Sequence, residues 1–195
     1  MAINKEAYKK LLDELQPKNV TLIAVSKTKP VEDIKALYDL GQRDFGENYV
    51  QELSEKAQQL PKDIRWHFIG HLQSNKVKNI ASFVHLIHGA DSLKLLQEIN
   101  KQALKSNRTI DCLLQIHIAQ EETKFGSDEK ELNEIIIQFE NLKMTNVRVC
   151  GLMGMASFTD DLNKIRNEFR YLKILFDKQA KLTIHNSLHG HEQRL

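Results

Sequence analysis

The chain has 195 residues, of which 41% are hydrophobic and 28% are charged, as is ordinary for a soluble globular domain with a sizeable core. Its 28 basic and 26 acidic residues are interspersed and give a net charge of +2, which disfavours a surface for nucleic acid or anionic membranes. The polar start MAINKEAYKK and the absence of a membrane-length apolar run predict a cytoplasmic protein.

Strand-like apolar runs alternate with amphipathic helical stretches, beginning with a helix that carries Tyr8 and Leu12 on its apolar face. In chain order, the predicted strands are VTLIAV (20–25), DFG (44–46), RWHFIG (65–70), FVHLIHG (83–89), DCLLQIHIA (111–119) and VRVCGLMGM (147–155). The first is expected to be buried. The runs read as continuously apolar, which is typical of strands covered on both faces.

The helices are predicted from apolar residues that recur every three or four positions and from polar residues at their starts. Pro30 opens the helix that Gly41 ends, and a short helix lies near residues 74–80. The predicted amino-terminal caps of the later helices are Asn48, Asp91 or Ser92, Ser127, and Thr159. The last helix is expected to bury one side, formed by Leu162, Ile165, Phe169, Leu172 and Leu175.

This alternation predicts βαβ units with a parallel sheet, in one domain spanning residues 1–195. A doubly wound sheet and a (β/α)8 barrel both fit. A barrel gathers the loops after its strands around one mouth, whereas an open sheet concentrates functional loops at one switch point. Polar or functional residues follow every strand: Lys27, Glu47, Asn48, His71, Asp91, Gln120, Met153 and Ser157. Their even spread favours the barrel.

Several familiar catalytic motifs are absent from the sequence. It has no P-loop, no G-x-G-x-x-G, no H-E-x-x-H and no G-x-S-x-G, which disfavours nucleotide binding, zinc proteolysis and serine hydrolysis. The eight histidines include the pairs His67 with His71 and His85 with His88. Neither pair has a carboxylate or cysteine at ligand spacing, so no metal site is predicted.

The two cysteines, Cys112 and Cys150, both lie within strand-like apolar runs. Because no C-x-x-C motif accompanies them, we expect reduced cysteines in the core of a cytosolic protein.

Lys27 stands directly after the first strand. At a barrel mouth its ammonium would be partly desolvated and close to Lys29, and both effects favour the neutral amine. A neutral lysine amine is the nucleophile that forms a Schiff base with an aldehyde, most often pyridoxal phosphate. A solvated turn lysine is the alternative interpretation. Similarly, Asn48 could simply cap a helix, and Met153 could be a core residue.

Four segments in this order, AVSKTKP, FGENYVQE, WHFIGHLQSNK and GLMGMA, closely resemble the pyridoxal phosphate homeostasis proteins. The resemblance extends from about residue 5 to about residue 183. It implies a TIM-like barrel similar to the alanine racemase barrel domain, with pyridoxal phosphate held as an internal aldimine. By resemblance, Lys27 is the aldimine lysine, Asn48 lies beside the cofactor and Met153 lies near its ring.

The chain departs from this family at its end. The resemblance implies a closing motif like LSMGMS-x-D and a last strand that grips the cofactor phosphate, whereas this chain ends SLHGHEQRL. With third codon bases chosen to match, a one-nucleotide frame shift over residues 187–194 can spell LSMGMS[SN]D. We therefore expect residues 184–195 to be an aberrant tail and the barrel to be incomplete.

The resemblance implies a non-catalytic protein of intracellular pyridoxal phosphate homeostasis, expected to be a monomer, with dependent apoenzymes as possible recipients. The runner-up is a racemase-like enzyme, which would need an acid and a base on opposite faces of the cofactor. In the alanine racemase family a second domain supplies one of them, and we expect this chain to lack such a domain. A barrel that binds no ligand is the third alternative.

Overall fold

The computed structural model describes residues 4–119 and 126–180. The strands are β1 (Ala24–Val25), β2 (Asp44–Glu47), β3 (Arg65–Phe68), β4 (Leu86–Ala90), β5 (Ile110–Ile116) and β6 (Val147–Gly154). The helices are α1 (Lys5–Leu15), α2 (Val31–Asp39), α3 (Val50–Gln59), α4 (Leu93–Lys105), α5 (Glu129–Asn141) and α6 (Leu162–Ala180), with 3₁₀ turns at Gln16–Lys18 and Ser74–Asn79. Gln120 and the expected tail at 184–195 lie outside the described residues.

All neighbouring strands are parallel, and the described part of the sheet has the order β1-β2-β3-β4-β5-β6. Each strand therefore lies beside the one that precedes it, whereas a doubly wound sheet reverses direction at a switch point. Sequential addition of parallel strands builds the wall of a TIM-like barrel. The predicted α/β barrel class is confirmed, and no helix in the described ranges is long and apolar enough to cross a membrane.

The two faces of the sheet differ, which corrects the expectation of strands that are apolar on both sides. Phe45, Trp66 and Phe68 are buried in one core that also contains side chains of the helices. Because side chains alternate along a strand, Arg65 and His67 lie on the opposite face. That inner face carries Asp44 and His88 as well, whereas the helices pack against the outer face.

The first strand is shorter and more exposed than predicted. Only Ala24 and Val25 pair with β2, and Val25 is 53% exposed. The reason is that β1 is an outermost strand of the described sheet and has no neighbour there on its other side. An edge strand buries less of its surface than a central one.

Helix caps were predicted to within one or two residues. Ser92, rather than Asp91, caps α4 by accepting a hydrogen bond from the backbone N–H of Leu95. Asp128, and not Ser127, caps α5. At the start of α6, Asp161 replaces Thr159 and accepts bonds from the two N–H groups at 163 and 164. Aspartate provides two acceptor oxygens, which suits the free N–H groups of a first turn.

The predicted apolar side of α6 is only partly buried. Leu175 is fully buried and Leu172 packs against the core, but Leu162 and Phe169 are exposed. The apolar period was correct, but nothing in the described ranges covers the amino-terminal half of this side.

Both cysteines are free, but only Cys112 is a core residue, and Cys150 is exposed. Cys150 lies in β6, the other outermost strand of the described sheet, which explains its exposure. Burial raises the pKa of the Cys112 thiol.

Candidate functional site

Lys27 lies in the turn just after β1, and Asn48 lies just after β2. The two strands are parallel neighbours, with Val25 paired to Gly46. Two of the three predicted site residues therefore follow neighbouring strands at the carboxyl end of the sheet. Lys27 is exposed, which corrects the expected partial desolvation, because β1 is a sheet edge in the described residues.

The backbone on both sides of Lys27 is held by hydrogen bonds. The N–H of Ser26 donates to the carbonyl of Gly46 at 2.9 Å. The N–H of Thr28 donates to Oε1 of Glu52 at 2.6 Å. Thr28 also has a φ of 62°, a left-handed conformation that is rare for a β-branched residue. The turn that carries Lys27 is therefore a defined, strained conformation.

A buried polar cluster lies behind this turn, between the sheet and α3. The ammonium of Lys56 donates to the Ser26 carbonyl at 2.7 Å, to Glu47 Oε1 at 2.8 Å and to Glu52 Oε1 at 2.6 Å. The hydroxyl of Ser26 donates to the same Glu47 oxygen at 2.6 Å. The second oxygen, Glu47 Oε2, is buried without a partner among the described residues.

Asn48 does not cap α3, which corrects that interpretation. Tyr49 occupies the cap position, and its side chain makes no capping hydrogen bond. The Oδ1 atom of Asn48 is buried, and no described residue donates a hydrogen bond to it. A buried acceptor without a donor costs free energy, so this oxygen is suited to a ligand that brings one.

Glycines allow the chain to pass close to Asn48. A Cβ on Gly70 would lie 2.4 Å from the carbonyl oxygen of Asn48 and 2.9 Å from its Cα. A Cβ on Gly89 would lie 2.9 Å from Gln115 Oε1 and 3.2 Å from the Gly70 carbonyl oxygen. Only glycine fits at Gly70 without movement of the backbone. The main chain therefore passes closely between the carboxyl ends of β2, β3 and β4, with no side chains at residues 70 and 89.

Met153 lies on β6, where it pairs with Gln115 of β5, and β6 is the outermost strand opposite β1. Met153 therefore belongs to the same carboxyl end of the sheet as Lys27 but to the other edge. The loop after β6 is held by Glu168 of α6, which accepts bonds from the Ser157 N–H at 2.7 Å and hydroxyl at 2.6 Å.

A polar network crosses the inner face of the sheet below the mouth. Asp44 accepts two hydrogen bonds from Arg65, and His67 Nε2 lies 3.0 Å from Asp44 Oδ1. His67 Nδ1 lies 2.9 Å from Nε2 of His88. Despite the desolvation of Asp44, the hydrogen bonds from His67 and Arg65 hold its pKa well below its usual range.

The network corrects the prediction that no carboxylate accompanies the histidines. Ligand atoms of Asp44, His67 and His85 lie within 4.8 Å of one another. The carboxylate charge is nevertheless already matched by Arg65, which approaches it through two N–H groups. A cation at this point would have to compete with the Arg65 guanidinium for Asp44. We therefore describe the arrangement as an ion-pair network and not as a metal site.

The carboxyl end of the sheet can hold an aldehyde cofactor. Lys27 provides an accessible amine, Asn48 an unpaired acceptor, and Gly70 room for close approach. Sequence reasoning did not identify Glu52, Lys56 or Gly70. Its available signal was the four-residue spacing of Glu52 and Lys56 on one helix face, but that spacing alone is common on solvated helices.

Comparison with known proteins is consistent with this geometry. Residues 4–190 match the family described as alanine racemase, N-terminal domain. A pyridoxal phosphate homeostasis protein of Aquifex aeolicus is 41% identical over 159 residues, covering 80% of this chain and 68% of the relative. The protein of the same name from Synechocystis is 40% identical over 182 residues, covering 91% and 82%. The human one is 38% identical over 180 residues, covering 87% and 64%.

Solved structures show the same fold. PipY of Synechococcus elongatus, solved with pyridoxal phosphate bound, superposes with a TM-score of 0.82 and is 30% identical, covering 92% of this chain and 82% of PipY. An alanine racemase of Clostridium difficile has a TM-score of 0.67 at 15% identity and covers 93% of this chain but 50% of the racemase. At that identity the racemase supports only the likeness of fold.

Proposed function

The chain belongs to the family of pyridoxal phosphate homeostasis proteins, and from this premise we propose that it binds pyridoxal phosphate on Lys27 as a carrier and does not catalyse a reaction. The observation that carries the proposal is the placement of Lys27, in a restrained turn at the same end of the sheet as an unpaired acceptor on Asn48. When bound, pyridoxal phosphate supplies an aldehyde carbon with which a neutral lysine amine condenses, releasing the carbonyl oxygen as water.

Each predicted site residue has a separate role in this proposal. Lys27 is the covalent anchor. Asn48 would lie beside the cofactor with its buried Oδ1 available to accept a hydrogen bond, and Gly70 would keep the space beside it open. Met153 lies on β6, the outermost strand opposite β1, and its place near the cofactor ring rests on the resemblance. The names of the relatives support homeostasis as the role, with dependent apoenzymes as recipients of the cofactor.

The test is covalent trapping. The chain is incubated with pyridoxal phosphate, reduced with borohydride, digested and mapped by mass spectrometry. We expect the pyridoxyl label on Lys27 and its loss in Lys27→Met. Lys29→Met is the matched control, since Lys29 is an exposed lysine two positions away and should leave labelling unchanged.

The same preparation distinguishes a carrier from an enzyme. The cofactor-loaded chain is incubated with L-alanine, and the enantiomers are separated by chromatography. A carrier forms no D-alanine above the level of free pyridoxal phosphate. Cofactor-dependent racemisation that Lys27→Met abolishes would instead assign the racemase-like activity. A label found chiefly on Lys29 or scattered over surface lysines would contradict the site.

A further inference from the structure

We propose that Glu52 and Lys56 of α3 are positioning residues for Lys27, which fix the turn that carries its amine. The inference rests on the proposed function of Lys27 and deepens it by naming the groups that orient the amine toward an aldehyde. Neither residue touches the reacting atoms. Their contacts end on the peptide groups that flank Lys27, one on each side.

The geometry is that of a clamp. On one side, the Lys56 ammonium donates to the carbonyl oxygen of Ser26, at 2.7 Å. On the other, Glu52 Oε1 accepts from the N–H of Thr28, at 2.6 Å. Lys56 also donates to Glu52 at 2.6 Å, which joins the two halves. Movement of one half is therefore transmitted to the other, and Lys27 is held between them.

The conformation of Thr28 explains why a clamp is needed. Its φ of 62° is unfavourable for a β-branched side chain, so an unrestrained turn would relax toward negative φ. That rotation would swing the peptide that joins Lys27 to Thr28 and redirect the Lys27 side chain. The charge-assisted bond from the Thr28 N–H to Glu52 opposes this relaxation.

Stability alone does not account for the cluster. The Lys56 side chain is only 7% exposed and that of Glu47 is fully buried, and removing such a charge pair from water is costly. Apolar side chains of similar size often stabilise a core equally well. What they cannot do is bond simultaneously to a carbonyl and, through a carboxylate, to an N–H. We therefore attribute the polar cluster to its control of the backbone orientation beside Lys27.

The test uses Glu52, whose side chain is 23% exposed, because substitution of the more buried Lys56 would leave Glu47 unpaired and could unfold the chain. Glu52→Ala removes the acceptor, and Glu52→Gln keeps an acceptor oxygen. Glu55→Ala is the matched control, since Glu55 is an exposed glutamate of the same helix whose carboxylate accepts a hydrogen bond from Gln51 of α3 itself.

Two measurements are made on each variant. The first is hydrogen exchange at the Thr28 amide by NMR, without cofactor. The second is the ratio of labelling at Lys27 to labelling at Lys29 after brief exposure to aldehyde and reductant. It is measured once with pyridoxal phosphate and borohydride, and once with formaldehyde and cyanoborohydride.

In Glu52→Ala we expect Thr28 exchange to accelerate about tenfold or more, as for loss of a charge-assisted bond, and the Lys27-to-Lys29 ratio to fall similarly. Glu52→Gln should recover most of both effects, and Glu55→Ala should match the parent. Faster Thr28 exchange with an unchanged labelling ratio would show that the clamp has only a structural role, and would overturn the inference. Unchanged Thr28 exchange in Glu52→Ala would overturn it as well.

The two aldehydes separate this inference from the function on which it rests. If the parent takes no pyridoxal phosphate at Lys27, the proposed function fails, yet the formaldehyde ratio still decides whether Glu52 orients the amine. If the parent is labelled by both aldehydes and Glu52→Ala changes neither ratio, only the positioning role fails.

Discussion

The backbone of Gly70 runs directly against that of Asn48, so that a Cβ on Gly70 would lie 2.4 Å from the Asn48 carbonyl oxygen. No rotamer can relieve that contact, because both partners are main-chain atoms. The placement of Asn48 therefore requires that residue 70, just after β3, has no side chain. This relationship gives the first of four predictions.

Gly70→Ala should shift the β2 and β3 ends apart and lower the free energy of unfolding by about 1–3 kcal/mol, as overpacking does. Cofactor retention should fall with it. Gly151→Ala is the control, since a Cβ there meets its nearest neighbour at an ordinary 3.6 Å. Urea denaturation and equilibrium dialysis check both. A Gly70→Ala protein as stable as Gly151→Ala would contradict the close approach.

Asn48→Ala should separate stability from binding. Because the buried Oδ1 has no donor among the described residues, its removal should change the free energy of unfolding by less than about 1 kcal/mol. Pyridoxal phosphate retention by dialysis should nevertheless fall about tenfold, the usual loss for one well-placed hydrogen bond. Loss of stability without loss of retention would show that the amide is structural.

Thr28→Asn should stabilise the chain, because asparagine tolerates the left-handed conformation that Thr28 adopts at a φ of 62°. The expected gain is about 1 kcal/mol in thermal or urea unfolding. Labelling of Lys27 should persist, since the N–H that bonds to Glu52 is retained. A destabilised Thr28→Asn protein would mean that the Thr28 side chain makes a contact worth more than the strain.

Stability should fall with acidity because of His88. Burial, with smaller contributions from His67 and His85, lowers the pKa of His88 to about 4. The unfolded chain, with an ordinary histidine pKa of about 6.5, binds more protons between these values, so stability is present above about pH 6.5 and is lost toward about pH 4. The loss should approach about 3 kcal/mol.

Urea unfolding across that pH range measures the effect, and His88→Gln should flatten it. Other groups on this face contribute separately. Asp44, whose pKa is lowered by His67 and Arg65, loses its contribution only below about pH 4, the unfolded value. An equally steep pH dependence in His88→Gln would assign the loss to another residue, such as His85, whose pKa is also lowered by burial.

Local pattern in the sequence was enough to predict the class of fold and the end of the sheet at which Lys27 lies. Strand-like and helical periods alternate, and such units can pack only as a parallel sheet with crossover helices. A residue that directly follows a strand in that arrangement must lie at its carboxyl end. Lys27 and Asn48 both come just after strands, and the parallel pairing of β1 with β2 puts them at the same end of the sheet. Their roles toward a cofactor stay a prediction.

Tertiary structure alone decided which polar groups meet. Asp44 and His67 are 23 residues apart in the chain, and Lys56 and the Ser26 carbonyl are 30 apart, yet each pair is in contact. Such contacts depend on the register between strands and on the rotation of each helix about its axis. The spacing of apolar residues along the chain does not specify either of them. Tertiary structure also decided which side chains are exposed. The apolar runs around Val25 and Cys150 predicted buried residues, but both lie on outermost strands of the described sheet. Burial there depends on a neighbouring strand and not on the side chain itself.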